Sequence, residues 1–146
     1  MKSESELEYA ISRLVSRASE LKHWRMHKLV DELGLYRGEP LVLHALWNQD
    51  GMTQSGLTER LHRSPSTITK TVQRMEKAGL VVRRPDDRDE RVSRVYLTNV
   101  GREIRPAVEE AWRRLNQEIF SGFSAQELTS FHDFLLRVCR NIENKS

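Results

Sequence analysis

The chain has 146 residues, 38% hydrophobic and 31% charged, with a formal net charge of +3. That balance is too apolar for a disordered chain and too charged for a membrane protein, and no run of about 18 apolar residues could span a bilayer. The opening MKSESELEYA lacks the apolar stretch and cleavage site of a secretory signal, and the one cysteine, Cys139, cannot form an internal disulfide. A cytoplasmic protein is expected, of one domain or one compact domain with long flanking helices. The charge is unevenly spread. Residues 60–94 hold ten Lys/Arg against five Asp/Glu, a basic centre that suggests a localised anionic partner.

In chain order, Leu7, Ile11, Leu14, Ala18 and Leu21 recur at helical spacing and predict an amphipathic helix over about 5–33. Nothing nearby in sequence covers so narrow a stripe. Gly34 and Gly38-Glu39-Pro40 break the pattern, and a short apolar helix follows over 40–48. Thr53 sits where an N-cap belongs, ahead of a helix over 54–61 that buries Leu57 and Leu61. After a tight turn at His62-Arg63, Ser64-Pro65 reads as N-cap and first residue of a helix reaching Ala78, with Gly79 suited to a left-handed C-cap. The period then changes. Residues 80–84 and 92–97 read as a hairpin with a polar tip at 85–91. Thr98 caps a helix over about 99–121, in which Pro106 marks a kink or the true first turn. Ser124 to Glu127 is a capping box. It precedes a second narrow stripe of Leu128, Phe131, Leu135, Val138 and Ile142. The fold class is mainly α with a small β-hairpin wing: a winged helix-turn-helix between terminal helices.

The 64–78 helix carries the chemistry. Ile68, Val72 and Met75 share one side and face the core. Ser66, Lys70, Gln73 and Lys77 point the other way, with Thr67, Thr69 and Arg74 on the flanks. Hydroxyls, an amide and cations without a carboxylate are groups that bond base edges and phosphates. Glu76 falls near the buried edge. Arg88 and Arg91 at the hairpin tip suit a narrow minor groove. Asp86, Asp87 and Asp89 would repel phosphate unless one or more turns inward to hold an arginine.

The run TQSGLTERLHRSPSTITKTVQRMEKAGLVVRR, followed by PDDRDERVSRVYLTNVG, resembles the MarR (multiple antibiotic resistance regulator) family, with an Asp-x-Arg wing and a strand ending in Leu-Thr. Gly56 and Thr58 depart from that pattern, standing where better helix formers are usual. The resemblance implies that Ser64 to Ala78 is a recognition helix, that Arg91 enters the minor groove oriented by Asp89, and that Arg88 is the alternative register. It implies dimerisation through helices at about 5–33 and 99–144 around a reading lobe at about 40–98, within a single domain of 1–146. The physical reading agrees, since narrow stripes suit intermolecular packing. A two-fold dimer spaces two recognition helices about one DNA turn apart, which suits a palindromic operator.

Trp24, His27, Tyr36, His44 and Trp47 lie on the first two helices and their connection. Core packing is the commoner role for such residues; the resemblance adds a second, a site for a small aromatic effector. His23 and His27 stand one helical turn apart but show no third ligand, so no metal is expected. Cys139 is expected to be a buried, inert thiol rather than a redox sensor. No Gly-rich phosphate loop, nucleophile elbow or HExxH occurs, and the histidines are scattered, so neither an enzyme nor a cofactor is expected. The expected function is a sequence-specific double-stranded-DNA-binding transcription regulator, a homodimeric repressor released by a small aromatic ligand. The alternative is a winged-helix protein–protein adaptor.

Overall fold

The computed structural model describes residues 3–145. They form α1 (Glu4–Asp31), α2 (Glu39–Asn48), β1 (Met52–Thr53), α3 (Gln54–Leu61), α4 (Pro65–Lys77), β2 (Val81–Pro85), β3 (Ser93–Leu97), α5 (Asn99–Glu103), α6 (Arg105–Ile119) and α7 (Ala125–Glu143). The chain divides into two compact units, one up to Trp112 and one from Arg113. Among the described residues, no helix is long and apolar enough to cross a membrane.

Helix starts follow side-chain chemistry. Ser3 and Ser124 form capping boxes with Glu6 and Glu127, and the Thr53, Ser64 and Thr98 hydroxyls accept from backbone N–H groups three residues on. Gly56 is explained by this device. Its N–H donates to Thr53 Oγ1 at 2.9 Å, and a Cβ there would lie 3.1 Å from that oxygen. Pro106 falls in the first turn of α6, and the chain passes from α5 to α6 at Ile104. The turn between α3 and α4 is closed by His62, a non-glycine residue at φ +50°.

Leu43, Leu46, Leu57, Ile68, Val72, Met75, Val81 and Val95 are fully buried in one cluster, so α2, α3, α4 and the sheet share a core. Leu61 packs against it only partly buried. The hairpin gains a strand that sequence reading does not supply. Met52–Thr53 pairs with Val95 and Arg94, giving an antiparallel sheet of order β1-β3-β2. Two residues are too few to show alternation. In the hairpin itself Val81 pairs with Leu97 and Arg84 with Arg94.

Leu7, Ile11, Leu14 and Leu21 of α1 are exposed, as are Phe131, Val138 and Ile142 of α7. The expectation of a buried Cys139 is corrected: its thiol is exposed, because α7 fully buries none of its residues.

Where the sheet meets α5, backbone approaches backbone. The Thr98 N–H donates to the Leu80 carbonyl at 3.0 Å, and Thr98 Oγ1 accepts from Gly101 N at 3.1 Å. A Cβ on Gly101 would stand 2.2 Å from Leu80 O, and the Gly101 carbonyl accepts from Trp47 Nε1 at 2.9 Å. Backbone on both sides cannot yield to a methyl group. Gly101→Ala is therefore expected to lower unfolding free energy by about 3 kcal/mol or more, the upper end for overpacking. Urea denaturation at equal chain concentration measures it; an unchanged midpoint would show that the contact is not tight.

Candidate nucleic-acid interface

The α4 rotation is set by its buried edge. Ile68, Val72 and Met75 are no more than 2% exposed, and Thr71 joins them with its hydroxyl donating to Thr67 O at 2.9 Å. Ser66, Lys70, Gln73, Arg74 and Lys77 are exposed on the rest of the helix. Two of the predicted polar readers also have structural tasks. Ser64 Oγ accepts from the Thr67 N–H at 3.2 Å as N-cap and lies 2.8 Å from Thr67 Oγ1. Thr69 is half-buried and donates to Pro65 O at 2.9 Å. Arg74 turns toward the α1–α2 connection, its guanidinium 5.5 Å from the Tyr36 ring centre and 3.4 Å from the Arg37 carbonyl oxygen.

The one carboxylate of α4, Glu76, is answered by a strand. Arg83 of β2 gives it a backbone N–H at 3.2 Å and a guanidinium at 3.0 Å, and those hydrogen bonds hold its carboxyl below the ordinary value. This pair also ties α4 to the root of the wing.

At the wing tip the inward-turned acid is Asp86. Its Oδ2 accepts from the Arg88 and Asp89 N–H groups at 3.1 and 3.2 Å, and its Oδ1 accepts from Arg94 Nε at 2.5 Å. Arg94 continues to the Gly51 carbonyl at 2.9 Å, so the tip is latched through β3 to the loop before β1. The Arg94 side chain holds the Asp86 carboxyl below its ordinary value. Asp89 lies against Arg91, Oδ1 to Nε 3.1 Å, while the Arg91 side chain remains 91% exposed. Arg88 is exposed too. The sequence reading expects one or more of Asp86, Asp87 and Asp89 to turn inward and hold an arginine; the structure gives Asp86 as that acid and Arg94, which the reading did not name, as its partner. Arg84, exposed on β2 and 5.9 Å from the Tyr96 ring centre, is a further cation the motif did not single out.

The aromatic and histidine candidates separate into two places. Trp24 and His27, with His23, line a cavity of about 810 Å³ between α1, α2 and α4, to which Arg37, Lys70 and Arg74 contribute cations. Tyr36 adjoins it through Arg74. His44 instead packs T-shaped with Trp112, ring centres 5.0 Å apart, and Trp47 is bound to Gly101 with Arg105 over its ring. Unanticipated beside the cavity is Glu39. Only 1% exposed, it accepts from the Tyr36 N–H at 2.9 Å through Oε2, while Oε1 has no hydrogen-bond partner among the described residues. Burial pushes its carboxyl up, opposed by that N–H and by the charge of Arg74.

Residues 35–93, which hold α2 to the wing tip, match the MarR family. The transcriptional regulator HosA of Escherichia coli O157:H7 is 30% identical over 105 residues, 72% of this chain and 76% of that protein. The chain belongs to the MarR family. It is thus a transcription regulator with a winged helix-turn-helix, as its relatives are. The transcriptional repressor IacR of Pseudomonas putida is 37% identical over 78 residues, 53% of this MarR-family chain and 47% of IacR. A variant of E. coli MarR complexed with operator DNA has the same fold, with TM-score 0.82 at 21% identity, covering 94% of this chain and 99% of that one.

The latch predicts how the wing responds to charge removal. Asp86 has a depressed folded-state value, so its stabilisation is complete above the ordinary 3.8 and is lost as pH falls through the folded value. Asp86→Asn at neutral pH should therefore loosen residues 86–92 as acid does in the wild type. Amide exchange of Arg88 and Asp89 measures this; equal protection in wild type and variant would remove Asp86 as the latch.

Proposed function

We propose that this regulator is a cytoplasmic homodimeric repressor that binds a palindromic operator. Each chain acts as a single functional domain of 1–146, with a reading lobe at about 40–98 and dimerisation helices at about 5–33 and 99–144. The observation that carries the reading is the free side of α4. Ser66, Lys70, Gln73 and Lys77 stand exposed while the one carboxylate, Glu76, is neutralised by Arg83. Such a surface attracts phosphate and offers donors to base edges. Ser64 and Thr67 at the N-terminus of α4 suit phosphate contact, with Thr69 and Arg74 at its margins. The wing adds Arg91, oriented by Asp89, with Arg88 beside it, for the minor groove. The operator complex of E. coli MarR, which shares the fold, and the repressor name of IacR support the same direction. The exposed stripes of α1 and α7 support a dimer, since bare Leu, Ile and Phe rows of this length are interface surfaces rather than solvent surfaces.

Release follows from the cavity. Trp24 and His27 offer an aromatic wall, Arg37 and Arg74 offer cations, and Arg74 also belongs to α4. A small aromatic acid bound there engages the helix that reads DNA, so its binding and DNA binding are coupled. Tyr36 adjoins this wall; His44 and Trp47 act in the second cluster.

Titration of the full chain onto palindromic and scrambled duplexes at two salt concentrations tests the core of the proposal. Binding should weaken steeply with salt at two chains per duplex, and Arg91→Ala should weaken it by about 5- to 150-fold, the range of about 1–3 kcal/mol for one groove contact. No binding to any duplex at low salt would favour the adaptor reading. For release, benzoate should displace the wild type from DNA and leave Trp24→Ala bound. Equal displacement of both would place the effector elsewhere.

A further inference from the structure

Asp50 stands between α2 and β1, its side chain 33% exposed, and its two carboxylate oxygens are shared among three parts of the chain. Oδ1 accepts from the Gly51 N–H at 3.0 Å and from the Leu97 N–H at 2.9 Å. Leu97 ends β3, and β1 pairs with that strand only at Val95 and Arg94. The carboxylate oxygen therefore takes the place of the strand carbonyl that a longer β1 would bring to Leu97. Oδ2 accepts from Arg102 Nη2 of α5 at 3.1 Å, so the carboxylate is held at both ends. Gly51 is seated as firmly. It is buried at φ +70°, and a Cβ there would lie 2.7 Å from Cε1 of the Tyr96 ring. Its carbonyl accepts from Arg94 Nη1 at 2.9 Å, and the same guanidinium holds Asp86 through Nε. Asp86 accepts from the Arg88 and Asp89 N–H groups, and Asp89 lies against Arg91. A continuous series of hydrogen bonds, passing through the Gly51 peptide, thus joins Asp50 to the wing arginine.

We infer that Asp50 is a positioning residue for the wing: through the Gly51 carbonyl and Arg94 it sets the hairpin from which Arg91 enters DNA. The inference rests on the proposed minor-groove contact of Arg91 and adds what aims it. Leverage is the physical reason that a residue at the root matters at the tip. Gly51 lies level with Tyr96, and Arg91 is about five residues further along the hairpin, roughly 16 Å of strand. A rotation of about 5° at the root moves the tip by more than about 1 Å, enough to spoil a groove contact. No residue from 86 to 92 is buried in the core, so packing does not oppose that rotation. Asp50 opposes it by tying the end of β3, the turn before β1 and α5 to one carboxylate.

Two measurements on the full-length chain test this, one without DNA and one with it. Asp50→Asn keeps the side-chain shape, removes the charge and sets an amide N–H2 where one of the three donors needs an acceptor. In the free protein it should speed amide exchange at Arg88 and Asp89 by about 3- to 10-fold, while the Val72 and Met75 amides report any global loss of stability. Faster exchange confined to Gly51 and Leu97 overturns the connection to the tip. The second measurement is a double-mutant cycle on a duplex selected from a random pool by the wild type. Asp50→Asn should weaken binding by about 3- to 10-fold on its own and hardly at all in the Arg91→Ala background. A merely structural role costs the same factor in both backgrounds, and that result overturns the inference. Arg102→Gln leaves both N–H bonds to Oδ1 in place and should give the same pattern at smaller size; it carries both tests if Asp50→Asn does not fold. Arg91→Ala binding as tightly as the wild type overturns the wing contact itself, and the aim assigned to Asp50 with it.

Discussion

The buried edge of α4 is the constraint on which the interface depends. Ile68, Val72 and Met75 occupy one side of a 13-residue helix and are closed off from water. A helix has one rotational degree of freedom about its axis, and three apolar anchors at i, i+4 and i+7 remove it. Every other side chain of α4 is thereby assigned a direction. Packing energy in the core, rather than any property of the polar residues, decides which of them meet solvent. The same anchoring explains why Thr71, one step from Val72, is buried and serves the backbone, while Lys70 is exposed.

The wing depends on a different force. Residues 86–92 contribute nothing to the buried core, so their shape is kept by charge-assisted hydrogen bonds. Asp86 gathers two backbone N–H groups and the Arg94 guanidinium, and Arg94 carries the connection on to Gly51. An acidic residue at the wing tip is thus consumed internally. Asp89 is spent on Arg91 in the same way. The pairs leave Arg88 and the exposed face of Arg91 in solvent, beside the exposed Asp87 and Glu90.

Much of this was legible in the sequence because local chemistry and burial agree. The caps at Thr53, Ser64, Thr98 and Ser124, the α4 face and the terminal stripes all follow from spacing and hydrogen-bonding type. What was not legible involves residues far apart in sequence. Arg94 and Asp86 are eight apart across a hairpin, Arg83 and Glu76 seven apart across a helix end, and Trp47 and Gly101 54 apart. Strand β1 is only two residues long, below the length at which alternation carries information. Cys139 was misjudged for a related reason. A position at the edge of an apolar stripe says which side of the helix it occupies, but not what covers that side.

The three tryptophans happen to divide the molecule between them. Trp24 lies on the cavity wall, more than half exposed and with the Lys28 ammonium 4.1 Å from its ring centre. Trp47 is hydrogen-bonded to the α5 backbone, and Trp112 packs T-shaped with His44. Their indoles therefore sense water, a carbonyl dipole and an imidazole respectively. Intrinsic fluorescence of this chain is a sum of three unlike emitters, each tied to a different region. A molecule entering the cavity would quench or shift the Trp24 component while leaving the other two as internal references. The chain thus carries its own optical readout of which part of the fold has been perturbed.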